Sequence, residues 1–353
     1  MKFKCFLLLS SFIISSLFAM DNYSHKKDMH KDKKAIPENI YHRGENGFNI
    51  NASYIFWLPK EGGSELGILA KSLESKYGHV IYLDESYKSG FKIGAGYAMP
   101  YDNWELNAEY TWFHNSHTKS LSRSTPEEFI IPFWSGIINA NDRAYNCTGT
   151  WSLCMDMAKI DLTHPVYIGK KLLLDLNCGL KGGRIDQKMY VYYNLLDDND
   201  YEKSNWKSDS WLIGPKFAVY SKWMVSECFF ISGNFSTSLF YQNFDSKGIE
   251  SGTASSVYSN RVLLKNKFST LNPSIECLLG LGYTKSFCEN AYNFMLKAGY
   301  EFITYFNQNM MRHYRDNMHI NVIHESGVSP NTSYQNIGNL VIHGLTVKAQ
   351  FDF

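Results

Sequence analysis

The sequence predicts an all-β protein: a transmembrane antiparallel up-and-down β-barrel of about ten strands, with short periplasmic turns and long external loops. Three observations carry that prediction. From Phe48 onward, apolar and polar residues alternate with period two, the spacing of a strand with two different faces. The connections between these segments are alternately short and long, as in outer-membrane barrels. The stretch from Gly344 to Phe353 is itself an alternating strand that closes on an aromatic residue.

Along the chain, residues 1–19 have the form of a secretory signal peptide. Lys2 and Lys4 precede an apolar stretch from Phe6 to Phe18, and Ala19 is a small residue where cleavage is expected. That stretch is short for a membrane-spanning helix. Residues 20–47 are polar, rich in Lys and Asp, and include His25, His30 and His42. Such a composition reads as a solvated, mobile leader. The barrel is expected over 48–353.

Strands are expected near 48–58, 88–99, 104–114, 151–163, 171–193, 206–221, 227–243, 267–284, 291–306 and 338–353. Phe48, Ile50, Ala52, Tyr54 and Phe56 share one face, with Asn49, Asn51 and Ser53 on the other. Trp104, Leu106, Ala108, Tyr110 and Trp112 likewise oppose Glu105, Asn107 and Glu109. Leu172, Leu174, Leu176, Cys178 and Leu180 oppose Asp175, Asn177 and Lys181. A further hairpin over 66–84 would raise the count to twelve. Short turns are expected at Pro100–Asn103, His164–Lys170, Ser221–Ser226 and Ser286–Asn290, and long loops near 115–150, 194–205, 244–266 and 307–337. A soluble sandwich also alternates. The loop pattern and the tryptophans near strand ends (Trp57, Trp104, Trp112, Trp151, Trp206) point to a membrane barrel, where such rings favour the headgroup level.

Composition agrees. The 353 residues carry 35 basic and 34 acidic side chains, a net charge of +1, which leaves no electrostatic footprint for nucleic acid. Mean hydropathy is −0.30. In a barrel the lipid-facing and lumen-facing residues cancel in that average. Beyond the N-terminus there is no apolar run of about 18 residues, which argues against a helical membrane protein. Six cysteines follow the signal. An even number in an exported chain permits disulfides, and Cys147 and Cys154 are the best local pair. No cysteine spacing is that of a zinc site, and no metal or cofactor is implied.

Four segments carry a resemblance. They are Gly90 to His114, Arg184 to Tyr193, Leu296 to Asn309 and the ending Gly344 to Phe353. Together they resemble the Legionella-type, major-outer-membrane-protein-like family of pore-forming proteins, also found in environmental chlamydiae, over roughly 48–353. The resemblance implies an abundant porin of the bacterial outer membrane, with outer-membrane lipid and small hydrophilic solutes or ions as partners. The terminal strand ending in Phe353 resembles the signal read by barrel-assembly machinery. The family supplies no catalytic motif.

If the alternation holds, the inward charges follow from parity. The basic ones are Lys92, Lys159, Lys181, Lys216, Lys297 and Lys348. The acidic ones are Glu105, Glu109, Asp161, Asp175, Glu276, Glu301 and Asp352. They either pair across the lumen and stabilise the barrel, or line a water-filled path and set its selectivity. The expected function is passive diffusion of small hydrophilic solutes or ions through this lumen. A structural or adhesive envelope protein with a plugged lumen is the alternative. It would act as a homo-oligomer or a network linked through Cys147, Cys154 or Cys288. A barrel-borne hydrolase ranks last. It would draw on His114, His117, His313, His319, His324, Asp142 and Asp316, which have no recognisable catalytic spacing.

Overall fold

In a computed structural model, described residues are 47–71, 78–100, 102–134, 143–196, 200–253, 261–288, 291–315, 332–335 and 338–353. The expected signal and nearly all of the polar leader lie outside them, as do His319, His324, Asp142 and Asp316. Fifteen strands form: β1 (Phe48–Glu61), β2 (Gly67–Ala70), β3 (Gly78–Ile81), β4 (Lys88–Ala98), β5 (Glu105–Ser122), β6 (Phe129–Pro132), β7 (Ala144–Ile168), β8 (Leu172–Leu195), β9 (Tyr201–Met224), β10 (Phe229–Gly252), β11 (Arg261–Phe287), β12 (Tyr292–Asn309), β13 (Arg312–Arg315), β14 (Thr332–Gln335) and β15 (Gly338–Asp352).

Ten of them close a ring in the order β1-β4-β5-β7-β8-β9-β10-β11-β12-β15, every pair antiparallel. Closure leaves the ring no open edge, which hydrocarbon requires. The seam joins first and last strands. Phe48 N donates to Phe353 O at 2.7 Å, and Phe353 N donates to Phe48 O at 2.9 Å. The hairpin expected over 66–84 does form, as β2 and β3, but it stays out of the ring. It pairs instead with β6, which touches β7 through Ile130 and Ala144.

The periplasmic turns are short because the sequence supplies residues for tight reversals. Asp102 and Asn103 both take positive φ (52° and 57°) between β4 and β5, a conformation that Asp and Asn tolerate. Gly169 (φ 63°) does the same between β7 and β8. Three of the external loops are shorter than expected. β5 continues to Ser122, β9 starts at Tyr201, β10 runs to Gly252 and β11 starts at Arg261, all inside stretches expected to be loop.

The reason is an inversion of the side-chain pattern partway up strands such as β7 and β8. Near the periplasm the outward face is apolar and the inward face polar. On β8, Leu176 and Leu180 face out while Asn177 and Lys181 face in. Higher up the same strand, Arg184, Asp186 and Lys188 face out while Ile185, Met189, Val191 and Tyr193 are buried inside. The β7–β8 register runs unbroken from Asn146 to Ile168 across this change. The outward apolar run on β9 from Trp211 to Trp223 covers about 30 Å at ~3.3 Å per residue and a tilt near ~40°. That is the thickness of a hydrocarbon core. Above it the wall continues into water, with a largely apolar interior on β7 and β8 and buried serines and glutamates (Ser204, Ser208, Ser246, Glu202, Glu250) on β9 and β10. Outward pairs Ser116–Ser152, Thr118–Thr150 and Ser120–Thr148, each at 3.0 Å, face solvent there.

Two expectations are corrected by this geometry. Trp57, Trp151 and Trp206 are buried inside the barrel at 1%, 3% and 1% exposure and form no headgroup girdle. Outward aromatic positions belong to rings such as Trp211 and Trp223. Cys147 and Cys154 form no disulfide, and both are free thiols. They lie on one strand seven residues apart, about 23 Å at strand rise, whereas a disulfide needs Cα atoms within ~7 Å. An odd separation also sends them to opposite faces: Cys147 is buried within, and Cys154 is half-buried outside.

Candidate functional site

The polar lower half of the lumen encloses a cavity of about 530 Å³. Its mouth is at the periplasmic rim, beside Pro100, Asp102, Asn103 and Lys222, and its ceiling includes Trp57, Met155 and Ile303. Of the charges placed inward by parity, Lys92, Glu105, Glu109, Lys159, Asp161, Asp175, Lys181, Glu276, Lys297, Glu301, Lys348 and Asp352 all line it. Lys216 does not reach its surface. It is buried in the wall, 2.5 Å from Asp161 Oδ2, and also donates to Tyr220 Oη at 3.0 Å.

Four ion pairs stitch this wall together. Besides Lys216–Asp161, Lys92 Nζ donates to both oxygens of Glu301 at 2.7 and 2.9 Å, joining β4 to β12. Lys159 holds Glu109 at 2.8 Å. Lys181 binds Glu276 from β8 to β11 and donates to Tyr305 Oη at 3.1 Å. Low dielectric strengthens such pairs, but desolvation offsets much of the gain. Extra hydrogen bonds make up part of that cost. Trp57 Nε1 donates to Thr346 Oγ1 at 3.1 Å, and Thr346 donates on to Glu301 Oε2 at 2.7 Å. The Lys92 ammonium also sits 4.8 Å over the Trp57 ring, a cation–π contact. Both signs of charge therefore stand around one cavity. Lys297 and Lys348 face each other directly across β12 and β15.

Over the ceiling, the lumen is filled. β2, β6 and the segments beside them fold inward as a plug. Leu66, Ile130 and Trp134 pack against Trp151, Leu153, Val191 and Trp206 in one apolar cluster. Polar atoms of the plug are fixed to the wall. Tyr193 Oη donates to Leu66 O and accepts from Trp134 N, and Ser204 Oγ donates to Trp134 O. Burial pushes the Tyr193 phenol well above its ordinary range, so it stays protonated and able to donate. Trp134 Nε1 reaches Glu65 O at 2.7 Å. Gly149 leaves room for the plug: a Cβ there would lie 2.2 Å from Leu66 Cδ2. Between plug and cavity, Gln242, Gln308, Asn272 and Ser210 form a buried polar network at 2.9–3.0 Å.

Parity did not find every lining residue. Lys222 falls where a turn was expected, but β9 runs on to Met224 and turns it inward. Trp134 and Leu66 lie in loops, where no periodicity marks them. Of the histidines of the hydrolase reading, those described are His114, His117 and His313, and His114 and His117 do not converge. His114 faces outward, 3.3 Å from Asp156, whereas His117 is buried inside beside Ser86 and Asn115. His313 lies on β13. Among the described residues no group of three or more His, Cys, Asp or Glu could hold a metal ion.

Comparison with known proteins places this barrel. Several solved structures are similar to it. The outer membrane protease OmpT of Escherichia coli is 10% identical, with 89% of this chain and 98% of that one covered, at a TM-score of 0.40. The outer membrane protein OprG of Pseudomonas aeruginosa is 11% identical, with 87% and 97% covered, at 0.28. A FadL homologue of Pseudomonas aeruginosa is 5% identical, with 88% and 90% covered, at 0.26. No curated protein matches. The family model described as the Legionella pneumophila major outer membrane protein precursor matches residues 40–353. A closed ten-stranded ring with an apolar outer belt, carried by a sequence that matches over nearly its whole length, leads to one assignment: the chain belongs to the Legionella pneumophila major outer membrane protein family and resides in the outer membrane.

Proposed function

We propose that this outer-membrane protein lets small hydrophilic solutes or ions diffuse passively through its lumen. One observation carries the reading: a cavity of about 530 Å³ opening at the periplasmic rim and walled by both signs of charge. Such a wall replaces hydration for ions of either sign and selects weakly between them. Lys92, Glu105, Glu109, Lys159, Asp161, Asp175, Lys181, Lys297, Glu276, Glu301, Lys348 and Asp352 are the pore-lining set in this proposal, with Lys216 holding Asp161 in place. The plug of β2, β6 and Trp134 is the barrier on the outer side. Conduction requires that it move aside, which a plug built of two short strands and loop segments allows.

That plug also favours a second reading, a structural or adhesive envelope protein whose lumen stays closed. Cys288, exposed at a periplasmic turn, would then offer a thiol for links between copies; Cys147 is too buried to do so. The hydrolase reading gains no support from His114 and His117, which are on opposite faces of β5.

Vesicle swelling tests the proposal. Vesicles holding the folded protein are placed in isotonic solutions of small sugars and amino acids. Swelling that slows as solute size grows is the expected result. Rates equal to protein-free vesicles for the smallest solute would overturn the diffusion reading in favour of the structural one.

A further inference from the structure

Above the apolar belt, the outward face of β8 to β11 carries a rung of lysines in strict register. Lys188 stands opposite Lys207, Lys207 opposite Lys247, and Lys247 opposite Lys265. The next outward rung toward the membrane reads Asp186, Asp209, Asp245 and Lys267 across the same four strands. Arg184 and Trp211 face each other one rung lower still, where the belt begins on β9. Arg184, Lys188, Lys203, Lys207, Lys247, Lys265 and Lys267 against Asp186, Asp209 and Asp245 give this patch seven positive and three negative groups, a net +4 in a chain whose total is +1.

Like charges directly opposite each other destabilise a sheet, and here the arrangement repeats across three strand pairs. The aspartates answer only part of it. Asp186 takes Arg184 at 3.1 Å, Asp209 takes Lys207 at 2.5 Å, and Asp245 lies 3.5 Å from both Lys247 and Lys267. Among the described residues, Lys188 and Lys265 have no carboxylate at ion-pair distance. The patch is continuous with the lipid-facing wall: Trp211 and Tyr241 are exposed just beneath it. At ~3.3 Å per residue and a tilt near ~40°, Lys207 stands about 10 Å above Trp211 along the barrel axis. A partner that neutralises the patch would carry several negative charges, and the patch stands just above the apolar belt, at the headgroup level of the outer leaflet.

We infer that the outward faces of β8 to β11 form a binding site for the phosphorylated head group of an outer-leaflet glycolipid. Lys188, Lys207, Lys247 and Lys265 contact its phosphates, and Trp211 and Tyr241 lie beside its acyl–sugar boundary. This holds whether or not the lumen conducts. Lysine is well suited to the task, since ammonium groups on flexible stems can follow a mobile lipid head group.

The test uses the full chain, folded in neutral detergent, with diphosphorylated lipid A, its dephosphorylated form and inorganic phosphate as three separate probes. Bound lipid is counted by native mass spectrometry, and folding is checked by heat-modified gel mobility. The wild type is expected to prefer the phosphorylated lipid at least tenfold. The variant carrying K188Q, K207Q, K247Q and K265Q is expected to lose that preference. A control with K170Q, K171Q and K285Q at the periplasmic end should keep it. If the fourfold variant does not fold, the K188Q and K265Q pair alone should lower the preference at least threefold. The inference is overturned by equal binding of both lipids to the wild type, by a preference retained in the folded rung variant, or by an equal loss in the control. Binding of inorganic phosphate that displaces the lipid completely at millimolar concentration would also overturn it, because the site would then take free phosphate.

Discussion

Buried in the wall between β7 and β9, Lys216 and Asp161 depend on each other. Asp161 Oδ1 has no hydrogen-bond partner among the described residues, so Lys216 carries most of its compensation. Lys216→Met should lower the unfolding free energy by about 3–5 kcal/mol, because it strands a buried carboxylate. Adding Asp161→Leu should recover most of that loss. Urea unfolding in lipid vesicles reads both, and a double variant no more stable than the single would contradict the pairing. This pair, like the other lumen charges, was legible from parity alone, since a charge that alternates with lipid-facing leucines must point inward. Parity gave the face of each charge, while partners such as Glu301 for Lys92 and Glu276 for Lys181 came from the way the ring brings distant strands together. Lys92 and Glu301 are 209 residues apart, and no local pattern joins them. The cysteine expectation failed at the same scale. Cys147 and Cys154 looked like neighbours on either side of a loop boundary, but β7 had already begun at Ala144.

At the scale of the element, each strand carries two messages. The lower segments, apolar outward, were readable as membrane strands, and all ten were found. The upper segments invert the pattern, so Trp151 and Trp206 read as interface residues when they are core. Alternation shows that a strand has two faces, but not which face is wet. The hairpin of β2 and β3 was legible as strand. Its exclusion from the ring was not, because that depends on Leu66 finding the space that Gly149 leaves. The closing strand has its own consequence. We propose that Phe353 serves barrel assembly, since its backbone completes the seam with Phe48 and its ring stacks near Phe48 at 6.4 Å. Phe353→Ser should leave the register of β1 and β15 intact but reduce heat-modifiable, folded barrel in the outer membrane several-fold. Quantified immunoblots of membrane fractions check this, and unchanged amounts would remove the proposed role.

Over residues 48–353, the described strands carry two barrels stacked end to end: a lipid-embedded lower half with a charged interior, and a water-exposed upper half with an interior packed around the plug. Ten strands lie between the barrels whose side chains fill them and the wide ones that leave an aqueous channel. This chain divides the difference along its axis, with an open cavity below and a plug above. Fold and membrane location were legible because alternation and the pattern of short and long connections point the same way. The plug was not, since its strands β2 and β6 are only four residues long and their place inside the lumen depends on contacts made by Leu66 and Trp134. The central claim is that a conducting path exists and that the plug alone closes it. Single-channel recording in planar bilayers tests this most directly, comparing wild type with Gly149→Val, whose added side chain collides with Leu66 and should unseat the plug. The account predicts discrete steps proportional to salt concentration, rare in the wild type and at least several-fold more frequent in the variant. Silence from both proteins, each verified as folded, would contradict it.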